Sequence, residues 1–300
     1  MNRITVEKIR DSFRGILMLS EPLSGHTTYK VGGKAECLVS PECSDEAINI
    51  FRFARKSGIP ITLLGAGSNV IAPDDGIEGL VLKVRNRSAL ISFPGDCRIL
   101  ADAGVTLIDL ARWAGKKGYE GFEPIAGIPG TVGGAVLMNA GTKEGDTAGV
   151  LEKVEVLTAS GERRVFKRGE LSFGYRESTF QGSGWLILRA QFKLRRGDPS
   201  VIIRRLDEIW EQRQRKFPLD YPNAGSVFKR PPGDYAGRLI EESGCKGMRI
   251  GAAAISERHA NFIINLGGAS AADITALISA VRRRVFEKTG IYLELEQQML

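Results

Sequence analysis

The first segment of this chain that could bind an anion is rich in glycine and directly follows the apolar residues 61–64. It consists of Gly65, Ala66, Gly67, Ser68 and Asn69. Glycines let backbone N–H groups approach phosphate oxygens closely, and serine and asparagine side chains add further donors. The segment is not a Rossmann fingerprint, because no helix opens after it, and it lacks the lysine of a Walker loop. We interpret it as a phosphate loop, with a tight turn as the structural alternative.

A second glycine-rich segment, residues 127–134, carries four glycines among eight residues. A turn of this kind exposes several backbone N–H groups and suits a pyrophosphate, whereas the structural alternative is a close-packed corner between elements. The residues predicted to bind a cofactor here are Gly127, Ile128, Pro129, Gly130, Thr131 and Gly133. Two such segments in one domain favour a bound dinucleotide.

Three other places carry groups suited to proton transfer or charge stabilisation. Ser226 stands between a glycine and an apolar residue, with two cations close behind. Tyr175 and Arg176 place a phenol beside a guanidinium. Glu294 and Glu296 alternate, which puts both on one face of a predicted strand. A turn serine, a surface ion pair and solvated carboxylates are the structural alternatives.

The elements that must position these groups alternate between strand and helix patterns and predict an α+β fold. Strands are predicted at residues 35–39, 60–64, 80–84, 98–101, 150–158, 164–167, 185–194, 262–266 and 291–296. Helices are predicted at residues 44–56, 107–117, 201–216 and 271–288, the last with Ser270 as N-cap and Gly290 as C′ residue. A turn signal at residues 196–199 divides the chain into a region of residues 1–197 and a smaller domain of residues 198–300.

Composition restricts the class of protein. The 300 residues are 43% hydrophobic and 26% charged, which is typical of a globular protein and excludes a disordered one. Four scattered cysteines and only two histidines predict no metal site and indicate the cytoplasm. No signal peptide or membrane span is recognised. The net charge of +7 permits an anionic partner, but no run interleaves aromatic and basic residues, so neither a nucleic acid nor a membrane is expected.

Motifs spread over nearly the whole chain identify a family resemblance. They lie at residues 27–33, 65–69, 127–134, 139–141, 173–178, 223–231 and 259–262. In order and spacing they resemble the bacterial UDP-N-acetylenolpyruvoylglucosamine reductases of the shorter type, which are flavoenzymes of peptidoglycan precursor synthesis. The resemblance implies an FAD-binding region of the vanillyl-alcohol oxidase and cresol hydroxylase type in residues 1–197, followed by a substrate domain.

The resemblance also implies a reaction and a set of residues for it. FAD would be the cofactor and NADPH the hydride-donating co-substrate that reduces UDP-N-acetylglucosamine enolpyruvate to UDP-N-acetylmuramate. The implied catalytic set is Ser226 as proton donor, Arg176 of a G-Y-R motif, and Glu296 after the final helix, with Glu294 as the alternative carboxylate. The implied substrate contacts are Tyr175, Lys216 and Arg230.

The chain departs from the family pattern at a few positions. Gln297 and Gln298 stand where valine and arginine usually follow the glutamate, and Arg230 stands where asparagine is usual. Residues 142–143 are also atypical.

A related flavoenzyme is the alternative function. An FAD-dependent sugar-acid or lactone oxidase would share the flavin fold and the glycine-rich loops. It should lack the Ser226, Arg176 and Glu296 set and would not need NADPH.

Overall fold

Helices and strands follow the mixed order that the sequence pattern predicts. The computed structural model describes residues 6–7, 9–10, 13–84, 90–93 and 96–300. Its helices are α1 (Ser44–Lys56), α2 (Leu107–Lys116), α3 (Val132–Met138), α4 (Thr147–Val150), α5 (Pro199–Lys216), α6 (Ala236–Glu242) and α7 (Ala271–Thr289). Its strands are β1 (Ile16–Pro22), β2 (Lys34–Ser40), β3 (Ile61–Leu64), β4 (Val70–Ile71), β5 (Ile77–Lys83), β6 (Leu90–Phe93), β7 (Arg98–Asp102), β8 (Tyr119–Glu120), β9 (Gly141–Thr142), β10 (Gly145–Asp146), β11 (Leu151–Leu157), β12 (Arg163–Lys167), β13 (Phe173–Gly174), β14 (Glu177–Ser178), β15 (Leu186–Lys193), β16 (Arg195–Arg196), β17 (Arg249–Ile250), β18 (Ala253–Ile255), β19 (Ile263–Asn265) and β20 (Gln298–Met299). Within the described ranges, no helix is both long and apolar enough to cross a bilayer.

The chain forms two compact units, and both are discontinuous. Unit 1 comprises Met1–Leu19, Glu36–Ala66 and Glu78–Gln212, and unit 2 comprises Ser20–Ala35, Gly67–Ile77 and Arg213–Leu300. This differs from the single boundary expected between residues 197 and 198. Two early segments join unit 2 because they bond to its C-terminal part, as Asp74 does by accepting the N–H of Ala271 at 2.8 Å. The assignment of an FAD-binding region to residues 1–197 and a substrate domain to residues 198–300 stays a prediction.

The main sheet of unit 1 is antiparallel and has the strand order β12-β11-β15-β7-β6. Its central strand, β15, buries Ala190 and Phe192, and the ring of Phe192 meets that of Phe122 edge-on at 5.1 Å. Helix α3 packs against β15 and β7. Thr131 caps α3, because its Oγ1 accepts the N–H of Gly134 at 3.3 Å. The second glycine-rich segment is thus the entry to a helix that packs on this sheet.

A smaller sheet of unit 1 has the order β1-β2-β5-β3, with β3 and β5 parallel. Helix α1 buries Ile48, Ile50 and Phe51 in a cluster with the inward residues of β2 and β5. The apolar face of α1 recurs at the helical period, which explains why its predicted and observed bounds agree. Strand β3 leads directly into the first glycine-rich segment.

Unit 2 is built on the three strands β17-β18-β19 and on helix α7. The buried face of α7 contains Ile274, Leu277 and Val281. Its N-cap is Ser270, whose Oγ accepts the N–H of Asp273 at 2.9 Å, and it ends at Gly290, which has φ of 72°. Both predicted caps are therefore confirmed.

The predicted closing strand at residues 291–296 is wrong. Only Leu295 forms a bridge there, to Phe228, and the regular strand is β20, which pairs in parallel with β4. The main-chain groups of residues 294 and 296 bond to a loop and not to a ladder. An alternating pattern indicates an extended backbone, but it does not identify the partner of that backbone.

Candidate active site

Ser226 lies in an irregular, half-buried segment of unit 2 that bonds to the C-terminal residues. The N–H of Glu296 donates to the carbonyl of Val227 at 2.8 Å, and the N–H of Lys229 donates to the carbonyl of Glu294 at 2.8 Å. These two bonds flank the bridge between Phe228 and Leu295. The predicted proton donor and the predicted glutamate therefore lie on neighbouring backbone segments.

Asn261 holds the other side of the Ser226 segment. Its carbonyl accepts the N–H of Val227 at 3.0 Å. Its side chain pairs with the backbone of Phe228 in both directions, since Oδ1 accepts the N–H at 3.0 Å and Nδ2 donates to the carbonyl at 2.9 Å. Asn261 is buried. Three hydrogen bonds from one residue thus fix the backbone directly after Ser226.

The surroundings of the two candidate carboxylates differ. The side chain of Glu294 is 70% exposed and lies 3.4 Å from Nζ of Lys229. Glu296 is half-buried, and its carbonyl accepts Nδ2 of Asn69 at 3.2 Å. A fixed position suits a group that must face a substrate, so the geometry favours Glu296 over Glu294. Its catalytic role stays a prediction.

Asn69 connects the first glycine-rich segment to the C-terminal residues within unit 2. Besides its amide bond to Glu296, its carbonyl accepts the N–H of Gln298 at 2.9 Å. One of the two amide hydrogens of Asn69 is therefore used inside the protein. Asn69 is better described as an anchor of the Glu296 segment than as a side chain wholly available to a phosphate.

Arg176 lies at the tip of the hairpin β13–β14 in unit 1. Its φ is 60°, a left-handed conformation that is uncommon for a residue with a Cβ and often marks a functional position. Its Nη2 donates to the carbonyl of Gly141 at 2.8 Å, and its guanidinium lies 5.1 Å from the ring centre of Tyr175. The side chain is thereby held in one direction.

Asn139 fixes this hairpin to the rest of unit 1. Its Nδ2 donates to the carbonyl of Gly174 at 2.8 Å and to Oδ2 of Asp146 at 3.0 Å. Its Oδ1 accepts the N–H of Ala148 at 3.0 Å. Asn139 is buried and adopts a left-handed conformation with φ of 42°. Residues 139–141 therefore form the base on which the Arg176 hairpin rests.

The two glycine-rich segments contact each other in unit 1. A Cβ added to Gly65 would lie 2.8 Å from Oγ1 of Thr131. The backbone N–H groups of Gly65, Ala66, Gly127, Gly130 and Thr131 find no acceptor among the residues that the structure describes. A cluster of N–H donors without partners is what a pyrophosphate requires.

In the second segment, the backbone N–H groups of some predicted cofactor-binding residues are either bonded within the protein or missing. Gly133 donates its N–H to the carbonyl of Ala103 at 2.9 Å, and Ile128 donates to the carbonyl of Ile125 at 3.1 Å. Pro129 has no N–H to give. These backbone groups are therefore not among the N–H donors left for a phosphate, and the predicted contacts of these three residues with the cofactor, which stay predictions, would use other atoms.

Gly67 and Ser68 belong to the unit 2 part of the first segment. Gly67 has φ of 69°, and a Cβ there would lie 2.2 Å from the carbonyl oxygen of His26. Its own carbonyl accepts the N–H of Thr28 at 3.0 Å. Ser68 is half-buried. Only glycine fits at residue 67, because both the backbone conformation and the space exclude a side chain.

The predicted substrate contacts of unit 2 are cations beside aromatic rings. Lys216 ends α5 with Nζ 5.5 Å from the ring centre of Phe217, and the guanidinium of Arg230 lies 4.1 Å from that of Tyr235. Phe217 stacks on Phe262, whose backbone bridges to Ser226. Lys216 is thus linked to the Ser226 segment through two rings, and both cations are exposed.

His259 completes this ring cluster. Its ring centre lies 5.2 Å from that of Phe217 and 5.0 Å from that of Phe262. Burial, reinforced by the charge of Lys216, lowers the pKa of His259, so the ring is neutral at physiological pH. Burial also lowers the pKa of Arg213 to about 10, and its guanidinium lies over Phe217 at 4.7 Å and stays charged.

Comparison with known proteins identifies the family. A sequence model of the UDP-N-acetylenolpyruvoylglucosamine reductase C-terminal domain matches residues 217–300, and a model of an FAD binding domain matches residues 35–167. The UDP-N-acetylenolpyruvoylglucosamine reductase of Caldanaerobacter subterraneus subsp. tengcongensis is 42% identical over 98% of this chain and 97% of its own length. That of Moorella thermoacetica is 45% identical over 93% and 92%. The chain belongs to the UDP-N-acetylenolpyruvoylglucosamine reductase family.

Solved structures agree with this assignment. The crystal structure of UDP-N-acetylenolpyruvylglucosamine reductase from Thermus caldophilus is 37% identical and superposes with a TM-score of 0.78 over 95% of this chain and 98% of that one. An alkyldihydroxyacetonephosphate synthase, 17% identical, superposes with a TM-score of 0.53 over 65% of this chain and 42% of its own, and shows a shared fold alone. The α+β fold with an FAD-binding domain of the vanillyl-alcohol oxidase type is confirmed.

FAD is the cofactor of this reductase, and the chain's own groups fit it. Five N–H donors for which the described residues provide no acceptor lie in the two glycine-rich segments, which contact each other in unit 1 through Gly65 and Thr131. They can bind the pyrophosphate without a lysine, which explains why no Walker pattern is present. The predicted FAD-binding role of each individual residue stays a prediction.

Sequence reasoning missed the asparagines that hold the site of the reductase. Asn139 and Asn261 lie in motifs that carried the resemblance, but their bonds reach residues 35 and 33 positions away. A buried asparagine between small or apolar residues was the available signal. Its partners are set by the fold and cannot be read from local spacing.

Proposed function

We propose that this reductase uses NADPH to convert UDP-N-acetylglucosamine enolpyruvate to UDP-N-acetylmuramate, a step of peptidoglycan precursor synthesis. The observation that carries the proposal is the pairing of the Ser226 segment with the Glu296 segment, held by the bond from Glu296 N to Val227 O at 2.8 Å. A serine and a carboxylate on neighbouring fixed segments suit a reaction that adds a proton next to a carboxylate-bearing carbon.

The reaction adds two hydrogens across the enolpyruvyl double bond. When bound, FAD supplies the hydride that adds to the β-carbon, and NADPH is the source of that hydride. Negative charge then develops on the α-carbon and its carboxylate. The Ser226 hydroxyl gives its proton to the α-carbon. Serine is a weak acid, but this carbon is a strong base, so the transfer is favourable.

Arg176 and Glu296 stabilise the charge that develops on the substrate carboxylate. The guanidinium of Arg176 is held by the carbonyl of Gly141 and by the ring of Tyr175, and its charge and planar fork of N–H groups suit a carboxylate. Glu296 in its protonated form can donate one more hydrogen bond. Donors that are oriented before the charge appears lower the barrier more than donors that must reorganise.

The exposed cations of unit 2 suit the anionic part of the substrate. Lys216 is proposed to contact the diphosphate and Arg230 the diphosphate or the carboxylate, while Tyr175, which is 52% exposed, lines the sugar site. The net charge of +7 favours the approach of such an anionic substrate.

The proposed compartment is the cytoplasm. The four cysteines are free, and Cys37 and Cys245 are buried without a disulfide partner. Free buried thiols suit a reducing compartment. No partner other than the UDP-sugar and NADPH is proposed.

The test is NADPH oxidation by the purified yellow protein with and without UDP-N-acetylglucosamine enolpyruvate. The proposal expects stoichiometric NADPH consumption that depends on the enolpyruvyl sugar. The alternative, an FAD-dependent sugar-acid or lactone oxidase, expects oxygen consumption with a sugar acid and no need for NADPH. Rapid aerobic oxidation of such a substrate without NADPH would support the alternative.

A further inference from the structure

The residue next to Glu296 is a buried amide, which is unusual at a position of alternating apolar character. Gln297 is only 2% exposed. It directly follows residues 291–296. An apolar side chain could be buried at this position without the free-energy cost of burying polar atoms. A buried amide is retained at low cost only when its donors and acceptor are paired.

The amide of Gln297 is paired on both sides. Its Nε2 donates to the carbonyl of Ala224 at 3.2 Å and approaches that of Gly225 at 3.4 Å. The hydroxyl of Tyr29 donates to Oε1 at 3.2 Å and lies 3.1 Å from Nε2 as an acceptor, and Tyr29 is fully buried. The backbone of Tyr29 is anchored in turn, because its carbonyl accepts Nδ2 of Asn265 at 2.9 Å.

The two carbonyls bound by Gln297 belong to the turn that presents Ser226. Gly225 has φ of 75°, and its N–H donates to Oδ1 of Asn223 at 3.0 Å, so the turn is tight. Beyond Ser226, the backbone of Val227 is held by Asn261 and Glu296. Gln297 holds the residues that precede Ser226 from the C-terminal segment, and Asn223 holds them within the turn.

We propose that Gln297 is a positioning residue that fixes the Ser226 turn relative to Glu296, so that the hydroxyl and the carboxylate keep one separation. The inference rests on the proposed roles of Ser226 and Glu296. Because Gln297 adjoins Glu296 in the chain and binds the turn of Ser226 across space, it ties the two groups into one frame. Loss of the amide frees the turn, so the Ser226 hydroxyl and the Glu296 carboxylate are both still present but no longer held at one separation.

Gln297→Val tests the inference, because it removes the amide and places the valine that is usual in the family at a position where Tyr29 and the Ser226 turn bond to an amide in this chain. The variant is expected to slow reoxidation of the flavin by the enolpyruvyl substrate by roughly 10- to 100-fold, the cost of a small misplacement of a reacting group. Flavin reduction by NADPH should be unchanged, because no proton from Ser226 is needed there. Stopped-flow flavin absorbance of the holoenzyme separates the two half-reactions.

Tyr29→Phe is the matched control. It removes the phenol partner of Gln297 but leaves the bonds to Ala224 and Gly225, so reoxidation should stay at the rate of the original protein while the Tm falls. The double variant Tyr29→Phe/Gln297→Val leaves no buried hydroxyl without a hydrogen-bond partner, so its Tm should be higher than that of Gln297→Val. It also keeps the test valid if Gln297→Val alone folds poorly.

The outcomes separate this inference from the proposed function. Reoxidation that stays slow in the double variant while its stability recovers supports the positioning role. Reoxidation that recovers together with stability, or that is never slowed, overturns it. In a Ser226→Ala background, Gln297→Val should add no further loss, and additive losses would also overturn it. If Ser226→Ala alone reoxidises normally, the role proposed for Ser226 fails first, and the inference fails with it.

Discussion

The anion binding predicted for the two glycine-rich segments would rely mainly on their peptide N–H groups. Ala66 shows this most simply, because its methyl group contributes nothing polar and its N–H finds no acceptor in the described part of the chain. The position is half-buried and tolerates a small side chain better than Gly67 does. A charged side chain at residue 66 should therefore change the affinity for the bound anion and not the stability of the fold.

Ala66→Asp is expected to weaken FAD binding by roughly two orders of magnitude, because a carboxylate would face the pyrophosphate at short range. The isosteric, uncharged Ala66→Asn is the control and should retain FAD. The measurement is the ratio of FAD to protein after gel filtration, with circular dichroism to confirm that both variants fold. Equal flavin content in the two variants would remove residue 66 from the pyrophosphate site.

At the scale of elements, Asn139 lies outside the hairpin β13–β14 and bonds it to two neighbouring segments. Asn139→Gly keeps the left-handed backbone at φ of 42° free of strain but removes the bonds to Gly174, Asp146 and Ala148. We expect a loss of about 1–3 kcal/mol in the free energy of unfolding. Reoxidation by the enolpyruvyl substrate should slow as well, because the hairpin that carries Arg176 is no longer bonded to residue 139.

A second variant separates the loss in the free energy of unfolding from the loss in the rate of reoxidation. Gln181 Nε2 donates to the carbonyl of Arg176 at 2.9 Å and lies 3.4 Å from Sδ of Met138, so its bond to the hairpin is separate from those of Asn139. Gln181→Ala should therefore loosen the hairpin with a smaller loss of stability. Chemical denaturation and stopped-flow absorbance measure the two quantities, and normal reoxidation in both variants would contradict a catalytic position for Arg176.

Strands β7 and β11 flank β15 and are joined across it by an ion pair. Arg98 donates to Glu152 through Nε at 2.7 Å and Nη2 at 2.9 Å, and Gln191 of β15 donates to the same carboxylate at 2.5 Å. The bonds from Arg98, more than the one from Gln191, lower the pKa of Glu152 to about 2. The pair therefore contributes stability above about pH 4.5, which is lost as the pH falls toward about 2.

Glu152→Gln should lower the Tm at neutral pH by at most a few degrees, because the pair is partly exposed. The difference from the original protein should shrink as the pH falls from about 4.5 to about 2, since Glu152 becomes protonated over that range. The matched control is Glu162→Gln, which removes an exposed pair with Arg164. A Tm difference that does not depend on pH would contradict the account.

How much of this could be predicted from the sequence varies with the range of the contacts involved. Helix α7 and both of its caps are encoded within about four residues of each end and were predicted correctly. The strand expected at residues 291–296 was wrong, because its bonding partners lie near residue 228. The hairpin at Arg176 was read as a motif but not as a hairpin. Ser226 and Glu296 were named through the family resemblance, and no local pattern could show that their segments pair.

At the scale of the whole molecule, the proposed function has a kinetic consequence. NADPH and the enolpyruvyl sugar both react with the same bound FAD, so NADP⁺ is expected to leave before the sugar substrate reacts. Initial rates measured over a grid of both substrates should then give parallel lines in double-reciprocal form. Intersecting lines would require both substrates to be bound together and would contradict the order proposed.

Anaerobic stopped-flow absorbance of Ser226→Ala loaded with FAD tests whether Ser226 gives the proton that follows hydride transfer. NADPH should reduce the flavin of this variant at the rate seen in the original protein. Reoxidation by UDP-N-acetylglucosamine enolpyruvate should slow by roughly 10²- to 10⁴-fold, and Ser226→Cys should recover part of the loss because a thiol can also donate a proton. If Ser226→Ala slows reduction by NADPH as much as reoxidation, Ser226 serves binding or structure and the account is contradicted.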